Sequence, residues 1–230
     1  MTGLFLPYEN DLFFAINETH SHFADSFFEL YSERIVWLPL ALLTIGFIVY
    51  KKSWREWLPV LAFLVILFLL CDILSVCLIK PWFARPRPTG YPGIMEYVRT
   101  LQESTGGKSY GFVSWHTTNA FGMAMFSSLL FRYRPYTWVI FIWAFVMGYS
   151  RIYLGAHFVS DVLGGIVVGC GIALAVYYLY RWAAKKLSQK TNFVKLAVYS
   201  PLQMKVLTWA MAGYIVVFAL LSPVLSTVIK

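Results

Sequence analysis

The feature that most constrains this chain is a series of apolar runs, several of which reach the length that crosses a lipid bilayer. A transmembrane helix needs about 20 consecutive, mainly apolar residues. Six candidate spans follow one another along the chain, at residues 36–50, 57–79, 114–131, 138–149, 157–180 and 206–221. With 59% apolar and 13% charged residues, the chain is too apolar for a soluble domain. The sequence therefore predicts an all-α, polytopic membrane bundle of about six transmembrane helices, in one domain over residues 1–230.

The first 33 residues differ from the rest because they are acidic and rich in aromatic side chains. Among them, Leu12, Phe13 and Ile16 fall on one face of a helix. A helix with one apolar face and a polar remainder lies in the plane of the membrane interface instead of crossing the bilayer. We therefore expect an interfacial N-terminal helix within residues 1–33.

A second interruption is the polar segment 80–111, which is rich in proline and glycine. Within it, Ile94, Val98 and Leu101 share one face of a possible helix, while charged side chains lie elsewhere. This pattern indicates an amphipathic element with one buried face. We expect a loop over 80–111 that carries a short helix, within residues 94–104, resting on the membrane.

The distribution of charge predicts the side of the membrane on which each loop lies. The net charge is +8, and the cations lie in short loops beside apolar spans. That placement favours a membrane-topology signal over binding to nucleic acid. The positive-inside rule assigns the basic loops after the first, third and fifth spans to the cytoplasm. Segments 80–111 and 150–157 would then lie together on the periplasmic or outer face of the inner membrane.

Reactive side chains are concentrated in the short stretch 150–161. It contains Arg151, His157 and Asp161 between two long apolar runs. If a helix begins near His157, the histidine and Asp161 stand one turn apart on the same face. A carboxylate beside an imidazole fixes its tautomer and supports positive charge on it, as a nucleophile or base requires. The alternative is a capped helix with an interfacial histidine.

The segment 80–88 carries three cations among three prolines. Prolines interrupt a helix and stiffen the backbone, so Lys80, Arg85 and Arg87 would be held on a rigid strap at the membrane surface. Such cations suit a phosphate group, although a basic cluster that touches lipid headgroups has the same composition. Asp72, inside the second span, could orient Lys80 or make a hydrogen bond that packs two helices.

A third polar segment, 111–119, lies where the third span begins. Ser114 is a good N-cap, and the amides of the following turn would then be available to an anion. His116 lies in that first turn; the alternative is a capped helix whose histidine faces water. The indole of Trp115 should point away from an anion bound there, toward the surface or residues 94–104.

The predicted topology brings these segments to one side of the membrane. The candidate site comprises Lys80, Arg87, Ser114, His116, Arg151, His157 and Asp161. Two histidines and a carboxylate could suggest a metal site. Three cations nearby would repel a divalent ion, and they favour an anionic substrate with two histidines for acid and nucleophile work.

Together these motifs resemble the three-part signature of the type 2 phosphatidic-acid phosphatase superfamily, which includes membrane lipid phosphatases and soluble vanadium haloperoxidases. In chain order they are Lys80-x6-Arg87-Pro88, Ser114-x-His116 and Ser150-Arg151-x5-His157-x3-Asp161. The first and third motifs match in spacing and identity. The second departs, because the family usually has Pro-Ser-Gly-His where this chain has Val113 and Trp115 around Ser114.

The resemblance implies a role for each residue of the site. Five would bind phosphate: Lys80, Arg87, Ser114, Arg151 and, through its amide, Trp115. His157 would attack phosphorus and form a phosphohistidine while Asp161 holds it, and His116 would act as acid and then as base. The resemblance also implies that no metal or organic cofactor is needed.

The resemblance further implies an enzyme that hydrolyses a phosphate monoester or pyrophosphate of a membrane lipid. Candidate substrates are undecaprenyl pyrophosphate, phosphatidylglycerol phosphate, phosphatidic acid and lipid A, among which the sequence does not choose. The expected partners are the lipid substrate and the bilayer, without nucleic acid, and the oligomeric state is open. The alternative is a transporter or scaffold that binds anionic lipid without hydrolysis. Such transporters pair helix breaks in their two halves, a pattern that this sequence lacks.

Overall fold

The structure of the protein is a computed structural model, and it describes residues 8–101, 110–191 and 199–229. Every regular element in these ranges is helical. The helices are α1 (Glu9–Asn17), α2 (His22–Tyr31), α3 (Leu38–Val49), α4 (Trp54–Asp72), α5 (Lys80–Phe83), α6 (Trp115–Phe131), α7 (Arg134–Tyr153), α8 (Val159–Thr191) and α9 (Pro201–Ile229). The all-α class predicted from the sequence is confirmed for this part of the chain.

Among the residues that the structure describes, three helical stretches are long and apolar enough to cross a membrane: Trp54–Gly90, Val159–Ser188 and Pro201–Thr227. A fourth candidate is a bent pair, in which α2 meets the helical stretch Ile35–Val49 at an angle of 74°. Leucine, valine and phenylalanine side chains remain exposed along these helices, as expected for surfaces that face lipid. The protein is therefore a helical membrane protein.

Helix α6 lies at the centre of the bundle, where it packs on α8, α7 and α4. Its buried face is rich in small residues, which let neighbouring helices approach closely. Gly165 of α8 shows how close this approach is, because an added Cβ would lie 2.9 Å from the carbonyl oxygen of Ser114. This contact fixes the start of α6 beside the start of α8, and both starts carry residues of the predicted site.

The N-terminal segment forms two helices, of which α1 packs over the ends of α7 and α8. Phe13 is fully buried, and its ring centroid lies 5.5 Å from that of Phe158. Ile16 packs against the same cluster, whereas Leu12 is 48% exposed. The predicted helical face is therefore only partly buried, and α1 is a packed element of the bundle. Residues 1–7 lie outside the described part of the chain.

The segment that follows α4 differs from the predicted strap. The helix continues as a π-helix over Ile73–Ile79 and then as α5, so Lys80 lies on a helix. It ends at Ala84, whose φ of 44° is left-handed. Residues 92–97 form turns in place of the predicted short helix, with Gly93 at φ 88°. Residues 102–104 of that predicted helix lie outside the described ranges.

Candidate active site

His157 and Asp161 form a pair of almost completely buried polar side chains, 1% and 0% exposed. Nδ1 of His157 lies 3.3 Å from Oδ2 of Asp161, and the amide of Phe158 donates to the same oxygen at 3.0 Å. Helix α8 begins at Val159, two residues later than expected, because the His157 amide still bonds the carbonyl of Arg151 at 3.2 Å. The histidine therefore lies just before the helix and still meets the carboxylate.

The second oxygen of Asp161 is held by Arg85, a residue that sequence analysis placed at the membrane surface. Nη1 of Arg85 donates to Oδ1 of Asp161 at 2.7 Å, and Nη2 donates to Oε2 of Glu9 at 2.7 Å. Ser160 joins the network, because its hydroxyl accepts from Arg85 at 2.6 Å and its amide donates to Glu9 at 3.0 Å. Arg85 is fully buried, and two carboxylates offset the cost of removing its charge from water.

Glu9 is a member of this site that the sequence did not indicate. Only the adjacent Arg-Pro-Arg-Pro run signalled that Arg85 belongs near the phosphate-binding residues. Glu9 has no sequence signal, because 151 positions separate it from Ser160. Its contribution becomes visible only when α1 packs on the start of α8.

Ser114 occupies the N-cap position of α6, as the sequence predicts. Its amide donates to the main-chain carbonyl of Asp161 at 2.9 Å, which links the second motif to the third. Its hydroxyl accepts from Oγ1 of Thr117 at 2.9 Å and makes no capping hydrogen bond to the helix. The first-turn amides of α6 are therefore not occupied by this side chain, as an anion-binding helix start requires.

Three cations lie near the pair formed by His157 and Asp161. Lys80 is 8% exposed and Arg151 is 5% exposed, and Nζ of Lys80 donates to the carbonyl of Tyr110 at 3.1 Å. Nε of Arg87 is buried and has no hydrogen-bond partner among the described residues. Burial, and then the charges of Arg87, Lys80 and Arg151, lower the pKa of His157 well below its usual value. The histidine is therefore neutral, and the cluster of like charges attracts an anion.

An aromatic cluster lies beside these cations. The indole Nε1 of Trp115 donates a hydrogen bond to Asp72, which also accepts one from Asn119 at 3.1 Å. The guanidinium carbon of Arg34 lies 4.1 Å from the centroid of the Trp115 ring. The ring of His116 meets the indole edge to face, with centroids 4.7 Å apart. Trp115 is thus fixed from three sides, and Arg34 is a cation that sequence analysis missed.

The structure revises one expectation about this cluster and decides between two alternatives that the sequence left open. The indole nitrogen of Trp115 points toward Asp72 at the end of α4, while part of the side chain stays exposed. Asp72 accepts hydrogen bonds from α6, whereas Lys80 donates to Tyr110. Of the two alternatives for Asp72, the structure therefore supports hydrogen bonds that pack α4 on α6, and not the orientation of Lys80.

All the predicted site residues lie at one end of the bundle. His116 is close enough to Arg151 and Arg87 for their charges to act on it, which joins the aromatic cluster to the buried pair. Within the described ranges, no group of three or more His, Cys, Asp or Glu side chains is arranged to hold a metal ion. The geometry thus combines two imidazoles with several cations.

Comparison with known proteins agrees with this arrangement. The model of the PAP2 superfamily matches residues 57–185. The chain is 37% identical to the lipid A 4'-phosphatase of Porphyromonas gingivalis, over 94% of this chain and 91% of that protein. It is 28% identical to phosphatidylglycerophosphatase B of Bacillus subtilis, over 66% of this chain and 70% of that protein.

A solved structure supports the same relationship. The crystal structure of Aquifex aeolicus LpxE superposes with a TM-score of 0.60 at 27% identity, covering 77% of this chain and 99% of that chain. The chain belongs to the PAP2 superfamily. The resemblance inferred from the three motifs is therefore confirmed.

Proposed function

We propose that this protein is a membrane phosphatase that removes phosphate from a lipid. The observation that carries the proposal is the convergence of three cations on a buried, neutral histidine that is paired with a carboxylate. Cations alone would serve binding, but a neutral imidazole supported by Asp161 is a competent nucleophile. The relatives are named as phosphatases of lipids.

The reaction follows from the geometry of the pair. Because Nδ1 of His157 faces Asp161, Nε2 is the nitrogen that attacks phosphorus as the bond to the leaving oxygen breaks. His116 protonates that oxygen, and the result is a phosphohistidine. His116 then takes a proton from water, which attacks the phosphohistidine and releases inorganic phosphate. Asp161 stabilises the positive charge that His157 acquires during the first step.

The phosphate oxygens are bound by the residues around the histidine. Lys80, Arg87 and Arg151 offset the charge that grows on these oxygens in the transition state. The hydroxyl of Ser114 and the first-turn amide of Trp115 complete the cradle at the start of α6. These groups need no metal or organic cofactor, so EDTA should leave the activity unchanged.

Among the candidate lipids, we place lipid A first. The relative that shares 37% identity over 91% of its own length is named as a lipid A 4'-phosphatase, and a second protein of that name, from Bacteroides thetaiotaomicron, is 27% identical over 72% of its length. Phosphatidylglycerol phosphate comes next, on the basis of a relative with lower coverage.

We further propose six membrane crossings. The bent α2–α3 pair, α4, α8 and α9 account for four, and α6 and α7 complete the bundle. Helix α6 is shielded by its neighbours, so its polar threonine and serine side chains do not face lipid. The positive-inside rule then puts the active site on the periplasmic face of the inner membrane, with α1 at the interface.

A phosphate-release assay on the purified protein in detergent tests the proposal. The four candidate lipids should be supplied separately, each with and without EDTA, beside a His157→Ala variant. We expect EDTA-insensitive release from lipid A and none from the variant. Tight binding of a lipid without release would instead favour the transporter or scaffold. A strict requirement for a divalent ion would contradict the anion-binding mechanism.

A further inference from the structure

The carboxylate of Glu9, on the N-terminal helix, is completely buried at the edge of the active site. Its Oε2 accepts from Arg85 at 2.7 Å, and its Oε1 accepts from both the amide and the hydroxyl of Ser160. Burying a carboxylate together with a guanidinium is costly, and apolar side chains at both positions could fill the same space at lower cost. Glu9 therefore does more than attach α1 to the bundle.

Arg85 is shared between two carboxylates that face different directions. Its Nη1 group contacts Oδ1 of Asp161 and its Nη2 group contacts Glu9, each at 2.7 Å. Only Oδ2 of Asp161 remains to face His157. If Glu9 were neutral, the whole charge of Arg85 would act on Asp161 and reduce the negative potential that the histidine experiences.

The helix that carries Glu9 is fastened along its whole length. At its end, Asn17 donates to the carbonyls of Tyr153 at 3.0 Å and Arg99 at 2.9 Å and accepts from the Arg99 amide at 3.0 Å. In its middle, Phe13 packs on Phe158. A residue on such a fixed element can hold a partner in one geometry, which is what preorganisation of a site requires.

From these contacts we propose that Glu9 is a positioning residue for the nucleophile. It acts through Arg85, which orients Asp161 and leaves it enough negative charge to stabilise His157 as the phosphoryl group is transferred. The N-terminal helix is then part of the catalytic apparatus as well as of the bundle. This inference rests on the proposed phosphatase function.

The test compares Glu9→Gln with Asp11→Asn, which removes an exposed carboxylate from the same turn of α1. Inorganic phosphate released from lipid A gives kcat and KM, and acid quench in a single turnover gives the rate of phosphoenzyme formation. For Glu9→Gln we expect kcat and that rate to fall about 10- to 100-fold, by analogy with the residues that orient metal-binding histidines. We expect KM to stay within about threefold, because no phosphate contact is lost. Asp11→Asn should match the wild type.

A second variant covers the case in which Glu9→Gln does not fold, as judged by its melting temperature in detergent. Ser160→Ala removes the hydroxyl that joins Glu9 to Arg85 but adds no buried charge. It should lower kcat about 3- to 10-fold at unchanged KM, because the hydroxyl loses its hydrogen bonds with Arg85 and Glu9 while the direct contact between Arg85 and Glu9 remains. If a variant lowers kcat, lowers the melting temperature and raises KM together, the residue has a structural role and the inference is overturned.

The same assay separates this inference from the function on which it rests. An active wild type whose kcat is unchanged by Glu9→Gln overturns the positioning role and leaves the phosphatase intact. A wild type that releases no phosphate from any of the four lipids contradicts the proposed function, and the positioning role falls with it.

Discussion

The two halves of the candidate site are built differently. On one side, His157, Asp161 and Arg85 are buried, and each oxygen of the Asp161 carboxylate has its own protein donor. On the other side, Trp115 and His116 are half-buried and lie beside Arg34, which is exposed. The first half is fixed by short polar contacts inside the bundle, while the second is an aromatic surface that continues to the outside.

This difference indicates a division of labour. Buried charges keep their strength because no water screens them, so the first half suits chemistry. A half-exposed indole with a cation above it can contact the part of a lipid headgroup that lies beyond the phosphate. The first half, together with His116, should therefore determine the rate of phosphoryl transfer, whereas Trp115 and Arg34 should determine which lipid is accepted.

The largest expected effect comes from removing the proposed nucleophile from the buried half of the site. His157→Ala should reduce kcat about 10⁴-fold or more, since loss of a nucleophile leaves only the contribution of binding. Acid quench of the wild type with labelled lipid should trap an acid-labile phosphohistidine. His22→Ala, which removes an exposed histidine of α2, is the control. A His157→Ala variant that still formed the phosphoenzyme would show that another residue is the nucleophile.

The second prediction concerns the aromatic half. Trp115→Gly keeps the main-chain amide but removes the indole, so it should change the ratio of kcat/KM between lipids with large and small headgroups. The change should be about 10- to 200-fold, the scale of apolar pocket substitutions. Trp115→Phe, which keeps a ring but loses the donor to Asp72, should retain most of the selectivity. If Trp115→Gly lowers all rates and the melting temperature together, the indole only packs the bundle.

The third prediction uses the low pKa of His157. Burial, and then three cations, lower this pKa. His157 should therefore stay neutral at acidic pH values where an ordinary histidine is protonated, and the acidic limb of kcat/KM should lie below the pH at which an ordinary histidine titrates. Removing one cation with Arg87→Gln raises the pKa of His157. More of the histidine is then protonated at a given acidic pH, and the limb should move to higher pH. Arg99 is a cation bound to Asp25, so Arg99→Gln should leave the acidic limb in place. Because both variants are assayed with the same lipid, ionisation of the substrate contributes equally to both profiles. If Arg87→Gln does not shift the acidic limb of kcat/KM, the charge of Arg87 does not act on His157.

The smallest expected effect belongs to Arg34. Its stacking on Trp115 is worth about 0.5–1 kcal/mol for an exposed cation, so Arg34→Gln should change kcat/KM only about two- to fivefold. The change should appear mainly in KM and fall on the same lipids that Trp115→Gly affects. The kinetics of both variants on two lipids, beside Lys51→Gln as a remote control, provide the measurement. A loss in kcat alone would move Arg34 to the chemical half of the site.

The sequence alone was sufficient for the class of fold, and it named most of the residues that meet in the candidate site. Apolar runs of bilayer length leave few structures besides a helical bundle, because lipid offers no hydrogen bonds to an open backbone. The predicted contact between His157 and Asp161 is present even though α8 begins two residues later than predicted, because the two residues are only four positions apart. The signature residues could be recognised because each motif is contiguous.

Contacts between distant segments could be decided only by the tertiary structure. The sequence predicted an interfacial N-terminal helix and a surface strap, but the packing of α1 on α8 buries Glu9 and Arg85 together beside Asp161. Likewise, Asp72 faces Trp115 because α4 crosses α6 at that level. A buried ion pair depends on where two helices meet in space, and no local periodicity encodes that meeting.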